Sequence, residues 1–181
     1  AHSFSWRVPS ARQSSSPNRQ ISIRKPSSKQ SIRSMTKYTY DYPMPSVTVD
    51  AVILCCDSIL LIQRRDDPFK GYWALPGGFM NIEETIKEAF LRETMEETNL
   101  DLSWFNLMEV GVFDNPSRDD RGRVISFAFS TRIPIADSAL AKAGDDATRL
   151  SWFSINSLPN LAFDHEQIIN RAINQRKTLN K

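Results

Sequence analysis

Three closely spaced glutamates are the residues of this chain best suited to chemistry. Glu93, Glu96 and Glu97 lie in a short acidic run that has the spacing of an α-helix. Side chains three or four positions apart share a helical face, so we expect Glu93 and Glu97 to converge, with Glu96 beside them. Like charges this close repel one another unless a cation lies among them, and carboxylate oxygens are ligands that Mg²⁺ and Mn²⁺ prefer. The spacing therefore favours a divalent metal site.

The helix that carries these glutamates has a start signal in the sequence. Asn81 and Glu84 have capping-box spacing, which predicts a helix from about residue 82 to 98. Glu93 and Glu97 continue the inward-facing apolar stripe of this helix, whose members are Ile86, Ala89 and Phe90. Because uncompensated carboxylates are costly to bury, an inward position also indicates a bound cation.

The surroundings of the acidic run distinguish it from a solvated helix face, which is the simpler interpretation of several glutamates. Arg92 is four residues from both Glu88 and Glu96, and we expect it to bridge them. A turn with two glycines, Gly77 and Gly78, precedes the helix. Such a turn can bring backbone close to a phosphate or offer a carbonyl oxygen to a metal ion. These neighbours favour the metal site.

Residues 78–100 resemble the signature of the Nudix hydrolases, G-x5-E-x7-R-E-U-x-E-E-x-G-U, in which U is a bulky apolar residue. The matching positions are Gly78, Glu84, Arg92, Glu93, Glu96, Glu97 and Leu100. Thr94 replaces the first apolar residue of the signature, and Asn99 replaces its closing glycine. Asparagine adopts the left-handed conformation of a helix C-cap more readily than other non-glycine residues, so we expect Asn99 to end the helix.

This resemblance implies metal-dependent hydrolysis of the pyrophosphate bond in a nucleoside diphosphate linked to another group, X. The implied metal ligands for Mg²⁺ or Mn²⁺ are Glu93, Glu96, Glu97 and the Gly78 carbonyl. Arg92 is implied to orient the glutamates. A bound cation would neutralise the pyrophosphate and acidify an attacking water. The general base stays open between Glu97 and a later acidic residue, with Asp145, Asp146, Asp164 and Glu166 as candidates.

Two later segments resemble the subgroup that includes ADP-ribose pyrophosphatases. They are residues 115–126 and 161–165. The resemblance implies that ADP-ribose is hydrolysed to AMP and ribose 5-phosphate. The alternatives are a hydrolase that removes oxidised nucleoside triphosphates and a non-catalytic ADP-ribose sensor. The sensors carry a C-terminal winged helix and often lose the metal-binding glutamates; because this chain keeps all three and ends at Lys181, we expect an enzyme.

Candidate substrate-binding residues lie in the same two segments. Arg118, Arg121 and Arg123 carry guanidinium groups that suit phosphate or ribose. Alternatively, they pair with the neighbouring aspartates at 119 and 120 as a charged turn. His165 is a further candidate for substrate contact, with a structural role as the alternative. Three aromatic residues could stack on a base or belong to the core, namely Trp73, Phe79 and Phe113.

The remaining pattern predicts an α/β fold. Strand-like stretches at about 46–55, 59–64, 104–113, 123–132 and 149–154 accompany the acidic helix and a second helix at about 164–176. A mixed sheet with helices on both sides buries these faces, and the Nudix resemblance makes it an α/β/α sandwich over residues 41–181. No apolar run approaches the ~20 residues that span a membrane. Relatives that act on ADP-ribose are often homodimers.

The first 40 residues have a different composition. They hold eight basic residues, no acidic residue and eleven serines, which leaves 15 basic against 21 acidic residues afterwards. This composition predicts a disordered leader and resembles a transit peptide. An expression remnant, or translated sequence before a start at Met35, is the alternative. The adjacent cysteines favour a reducing compartment: plastid or mitochondrion with a transit peptide, cytoplasm without one. Nucleic-acid binding is disfavoured because the leader lacks an aromatic platform.

Overall fold

The computed structural model describes residues 41–144 and 147–179. The leader predicted for residues 1–40 and two candidates for the general base, Asp145 and Asp146, lie outside the described residues. The transit peptide therefore stays a prediction. The homodimer is a separate prediction for the intact protein. Of the helices within the described ranges, none combines the length and the apolar character needed to cross a membrane.

Seven strands and three helices make up the described chain. In order they are β1 (Ser46–Cys55), β2 (Ser58–Arg64), β3 (Trp73–Ala74), β4 (Gly77–Phe79), α1 (Ile86–Thr98), β5 (Met108–Phe113), β6 (Val124–Arg132), α2 (Ile135–Ser138), β7 (Ala147–Ser154) and α3 (His165–Leu179). The five predicted strands and two predicted helices are present. The very short β3, β4 and α2 were not predicted, because two to four residues are too few to show a hydrophobic period.

The sheet is mixed, as predicted. Its main order is β3-β2-β1-β6-β5, with β4 paired to β1 and β7 paired to β2. β1 and β6 run parallel over nine residue pairs, whereas the other pairings are antiparallel. The central strand β1 is thus bonded on one side to β6 and on the other to β2 and β4. This position places the glycine-bearing β4 directly beside the middle of the sheet.

Both faces of β1 are covered. Val49, Ala51 and Ile53 pack in one core with residues of α1, whereas Val52 and Leu54 pack in a second core with residues of α3. Alternate side chains of a strand point to opposite faces, so the two cores lie on opposite sides of the sheet. The arrangement confirms the predicted α/β/α sandwich. It also explains why all residues of β1 from position 48 onward are buried.

Helix α1 begins later than predicted. Its N-cap is Thr85, and the reciprocal capping box joins Thr85 to Glu88. Asn81 and Glu84 do bond to each other, but in the turn before the helix. Glu88 is therefore engaged by the cap, and the predicted bridge from Arg92 to Glu88 is wrong. Asn99 ends the helix in the left-handed conformation, at φ 58°, as predicted.

The carboxyl end of α1 is held by a later segment of the chain. Lys142 N–H donates to the carbonyl oxygen of Thr98 at 2.9 Å, and Gly144 N–H donates to that of Glu97 at 3.0 Å. A side chain at Gly144 would place its Cβ 1.6 Å from the Glu96 carbonyl oxygen, so only glycine fits. These bonds satisfy carbonyl groups that a helix end would otherwise leave without an intrahelical partner.

The two cysteines are free thiols, but they are not equally buried. Cys55 is the buried last residue of β1, whereas Cys56 is exposed in the following turn with φ 50°. Cys56 is exposed because β1 ends one residue earlier, at Cys55.

Candidate active site

Gly77 and Gly78, predicted as a turn, form the start of strand β4; we keep the name glycine turn for these two residues, and a glutamate bonds them to α1. Gly77 N–H donates to Glu97 Oε2 at 2.8 Å. In β4, Gly77 is paired with Asp50 and Gly78 with Val49. A Cβ on Gly77 would lie 2.0 Å from the Val49 carbonyl oxygen, and Gly77 has φ 154°. Close packing against β1 therefore requires glycine here and brings the turn within reach of Glu97.

Gly78 leaves room for a second glutamate. A Cβ at Gly78 would lie 2.6 Å from the carboxyl carbon of Glu93. The carboxylate of Glu93 thus occupies the space beside the Gly78 backbone that a larger residue would fill. The two consecutive glycines accordingly have separate effects: Gly77 allows contact with the sheet, and Gly78 allows contact with the helix.

Arg92 joins three glutamates and the turn. Its Nε donates to Glu84 Oε1 at 2.5 Å, and its Nη1 donates to Glu93 Oε1 at 2.7 Å and to Glu96 Oε2 at 3.1 Å. Its Nη2 donates to the Phe79 carbonyl oxygen at 3.0 Å. Hydrogen bonding from Arg92 lowers the pKa of Glu84 to about 2. We call Arg92, Glu84, Glu93 and Glu96 the open cluster, because the side chain of Glu96 is 56% exposed.

The open cluster has more negative than positive charge. One guanidinium faces three carboxylates, and Glu97 lies one residue beyond them on the same helix. Burial raises the pKa of Glu93, against the opposing effect of Arg92. A cation is the group that this excess of carboxylate would stabilise.

The donor types at this site fit a divalent metal ion. Glu93, Glu96, Glu97 and the Gly78 carbonyl offer the hard oxygen atoms that Mg²⁺ and Mn²⁺ prefer. The space beside Gly78 also brings a carboxylate against the backbone. The glutamates are not preassembled, however: within residues 41–144 and 147–179, no three His, Cys, Asp or Glu side chains form a ready metal-binding group. Glu93 and Glu96 bond to Arg92, and Glu97 bonds to Gly77, so Glu93 and Glu97 both face the two glycines.

Arg118 lies in the interior, away from solvent. Its Nε and Nη2 donate to the two carboxylate oxygens of Asp164 at 2.9 and 2.7 Å, and Nη2 lies 3.6 Å from Asp50 Oδ2. The Arg118 side chain is 5% exposed. Asp50 also accepts a short hydrogen bond from the Ser126 hydroxyl. We call Arg118, Asp50, Asp164 and His165 the closed cluster. Because Asp164 is bonded to Arg118, this candidate base is engaged in an ion pair.

The other two predicted arginines have different surroundings. Arg121 pairs with Asp119 through Nη2 at 2.6 Å, as the charged-turn alternative predicted. Burial tends to raise the pKa of Asp119, but Arg121 outweighs it, and the pKa lies below the usual range. Arg123 Nη1 donates to the backbone carbonyl of Asp114 at 2.6 Å. Glu166, another candidate base, is exposed in the first turn of α3.

Two residues that the sequence did not single out, Arg64 and Phe163, lie beside Arg121. The guanidinium carbon of Arg121 lies 5.2 Å from the ring centroid of Phe163 and 5.4 Å from the ring centroid of Phe79. The guanidinium carbon of Arg64 lies 4.8 Å from the ring centroid of Phe163. Burial and the charge of Arg121 lower the pKa of Arg64, while Glu97 acts in the opposite direction. Phe163 has φ 52°, which is uncommon for an aromatic residue. We call Arg64, Arg121, Phe79 and Phe163 the arginine–aromatic cluster.

His165 is a buried residue of the closed cluster. Leu75 N–H donates to its Nδ1 at 2.9 Å, and its Nε2 lies 3.5 Å from Asp50 Oδ1. Burial lowers the pKa of His165. Of the predicted aromatic candidates, Trp73 packs against Phe153 in the core, whereas Phe79 is 47% exposed.

Comparison with known proteins places this site in a family. Residues 44–172 match the model of the NUDIX domain. The chain is 47% identical over 137 residues to an ADP-ribose pyrophosphatase of Methanocaldococcus jannaschii, and the alignment covers 76% of this chain and 78% of that protein. The chain therefore belongs to the Nudix hydrolase family, a class of pyrophosphohydrolases that generally need a divalent metal ion.

Solved structures show the same fold. A bifunctional NMN adenylyltransferase/ADP ribose pyrophosphatase from Francisella tularensis is 36% identical with a TM-score of 0.68, over 75% of this chain and 42% of that one. The NUDIX domain of Shewanella oneidensis NrtR, complexed with ADP ribose, is 28% identical with a TM-score of 0.67, over 75% of this chain and 93% of that one. The chain thus spans less than half of the Francisella protein but most of the NrtR domain.

Proposed function

We propose that this protein hydrolyses ADP-ribose to AMP and ribose 5-phosphate with Mg²⁺ or Mn²⁺. The observation that carries the proposal is the contact of the glycine turn with α1, in which Gly77 N–H holds Glu97 and the backbone of Gly78 faces Glu93. The similarity to the Methanocaldococcus pyrophosphatase supports the choice of ADP-ribose. A homodimer remains a separate prediction.

The open cluster, Glu97 and the two glycines have separate roles in this proposal. Glu93, Glu96, Glu97 and the Gly78 carbonyl would hold the metal ion. When bound, the ion supplies charge neutralisation for the pyrophosphate and a more acidic water. Arg92 limits the rotation of Glu93 and Glu96, since it bonds to both and is itself fixed by Glu84 and the Phe79 carbonyl. Gly77 N–H holds Glu97 in one orientation, which suits either a ligand or a base.

The arginine–aromatic cluster is the proposed binding site for the rest of the substrate. Arg64 and Arg121 bring two positive charges together, and Arg64 interacts with the charge of Glu97. Arg64 donates to the backbone carbonyl oxygens of Pro68 and Asp66, whereas Arg121 pairs with Asp119. Guanidinium groups suit phosphate oxygens, and the half-exposed ring of Phe79 suits a base or a sugar. Of the predicted substrate residues, the proposal keeps Arg121. Arg118 and His165 lie in the closed cluster, and Arg123 bonds to backbone.

Two alternatives remain for the test. Similarity to the NrtR domain complexed with ADP ribose favours a non-catalytic sensor as the second candidate. Such a sensor would bind ADP-ribose without metal-dependent turnover. A hydrolase of oxidised nucleoside triphosphates would release pyrophosphate or phosphate from those compounds and leave ADP-ribose intact.

The test is a substrate panel. The full chain is incubated with ADP-ribose, NADH, diadenosine polyphosphates, and ordinary and oxidised nucleoside triphosphates, with Mg²⁺, Mn²⁺ or EDTA, and AMP and pyrophosphate release is followed. We expect metal-dependent AMP release from ADP-ribose. Glu97→Gln should lower this rate by at least about a hundredfold, because metal-assisted charge stabilisation contributes several kcal/mol.

A matched substitution serves as the control. Glu109→Gln makes the same chemical change at an exposed position of β5, and it should leave the rate unchanged. Unchanged turnover in Glu97→Gln would contradict the proposal. So would turnover confined to nucleoside triphosphates, or tight ADP-ribose binding with no turnover in any metal.

A further inference from the structure

The segment from Leu75 to the glycine turn is bonded on three sides. Ala51 N–H donates to the Pro76 carbonyl oxygen at 2.8 Å, which attaches the segment to β1. Gly77 N–H donates to Glu97, which attaches it to α1. Leu75 N–H donates to Nδ1 of His165 at the start of α3, 90 residues later. The histidine therefore bonds the second helix layer to the segment that holds Glu97, and the Leu75 side chain packs in the same core as Ile168 and Ile169 of that layer.

The bond to Leu75 defines the state of the histidine ring. Nδ1 accepts a hydrogen bond from Leu75 N–H, so the proton of the neutral ring is on Nε2. Nε2 faces Asp50, which belongs to β1 and is paired in register with Gly77. A protonated ring would present donors at both nitrogens, and Leu75 N–H would lose its acceptor.

Charged groups surround His165 from four elements. Asp50 on β1 and Asp164 before α3 favour the protonated ring, whereas Arg118 in the β5–β6 loop and Arg64 on β2 oppose it. Burial acts in the same direction as the two arginines and is the largest influence. Two of these charged groups thus favour the protonated ring and two oppose it, and burial keeps the ring in the form that accepts from Leu75.

We infer that His165 is a positioning residue for the glycine turn: its Nδ1 holds Leu75, and through the turn it sets the place of the Gly77 N–H that orients Glu97. This inference rests on the proposed function for its effect on turnover. It differs from the predicted role of His165 as a substrate contact, because the ring is 5% exposed and both of its nitrogens face protein atoms.

The decisive measurement is amide hydrogen exchange in the ¹⁵N-labelled full chain. His165→Leu removes the acceptor, so the Leu75 amide should exchange at least about tenfold faster. His165→Asn places an amide oxygen near the position of Nδ1 and should restore slow exchange. Gln167→Ala changes an exposed residue of the same helix turn and should have no effect. Unchanged Leu75 exchange in His165→Leu would overturn the inference.

If His165→Leu does not fold, His165→Gln replaces it. Glutamine carries its amide near the position of Nε2 and leaves Leu75 without the acceptor at Nδ1. Faster Leu75 exchange in His165→Gln than in His165→Asn supports the inference, and equal exchange in the two overturns it.

Kinetics give an independent readout. A positioning role predicts that kcat for ADP-ribose falls about tenfold in the leucine or glutamine variant, with KM within about twofold, and that asparagine recovers most of kcat. A raised KM with unchanged kcat would instead show a substrate contact and overturn the inference. If the wild-type chain turns over no compound, the proposed function fails, while amide exchange still decides the role of His165.

Discussion

The open and closed clusters are each built around one arginine, yet they differ in charge balance and exposure. In the open cluster Arg92 faces three glutamates, one of which is largely solvent-exposed. In the closed cluster Arg118 faces two aspartates, and every member is nearly buried. Acids thus outnumber the arginine at both sites, by two at the open cluster and by one at the closed cluster, but only the open cluster has a carboxylate that is largely exposed. An arginine among acids indicates a metal site only where the acids outnumber it and can still be reached.

The closed cluster should dominate stability. Arg118→Gln leaves Asp50 and Asp164 buried without their cation, which should cost about 3–5 kcal/mol in the free energy of unfolding, measured by chemical denaturation. Arg92→Gln should cost less, since Glu96 can turn to water, but should lower turnover. Equal losses of stability in the two variants would break the distinction between the clusters.

Substitutions at Gly77 and Gly78 test the same distinction between stability and turnover, with smaller expected effects. Gly77→Ala sets a Cβ against backbone of β1 and should lower stability by about 1–3 kcal/mol. Gly78→Ala meets only the movable end of Glu93, so stability should change little while metal-dependent turnover falls about tenfold. Denaturation curves and initial rates on both variants check this. The opposite pattern would mean that Gly78, and not Gly77, supports the fold.

As the pH falls, the loss of folding stability should begin at the closed cluster. The pKa of His165 is lowered in the fold, so below about pH 6.5 the unfolded chain binds a proton that the folded chain does not. Stability should be independent of this group above that pH and should fall by up to about 1.4 kcal/mol per pH unit below it. Glu84 has its pKa lowered to about 2, so its contribution is lost only as the pH falls from the ordinary carboxyl range toward 2.

A comparison of the wild type with His165→Asn isolates the contribution of His165 to the pH dependence of stability. Unfolding free energies of the wild type and His165→Asn, measured from pH 7.5 to 5.5, should diverge below pH 6.5 because only the wild type carries the buried imidazole. Parallel curves would contradict the neutral state of His165 in the fold.

The acidic helix could be predicted because its pattern is local in the sequence. Contacts between residues far apart in the sequence could not be predicted. The order of Glu93, Glu96 and Glu97 and the asparagine cap depend on neighbours within one or two turns, which a single sequence contains. The partners of Arg118 and His165 lie 46 and 90 residues away, and nothing in the local pattern identifies them. The bond from Gly77 N–H to Glu97 spans 20 residues and could not be predicted for a similar reason.

Gly144 limits which segments can be exchanged between members of this family in a chimera. The last turn of α1 is completed by backbone bonds from Lys142 and Gly144, and a side chain at 144 would overlap the Glu96 carbonyl oxygen. Consider a chimera that takes only α1 from another member of the family. The last turn of the imported helix, which carries the positions of Glu96 and Glu97, would differ in shape from the turn that residues 142–144 contact here. The helix and residues 142–144 therefore form one transplantable unit, although 43 positions separate Asn99 from Lys142 in the chain.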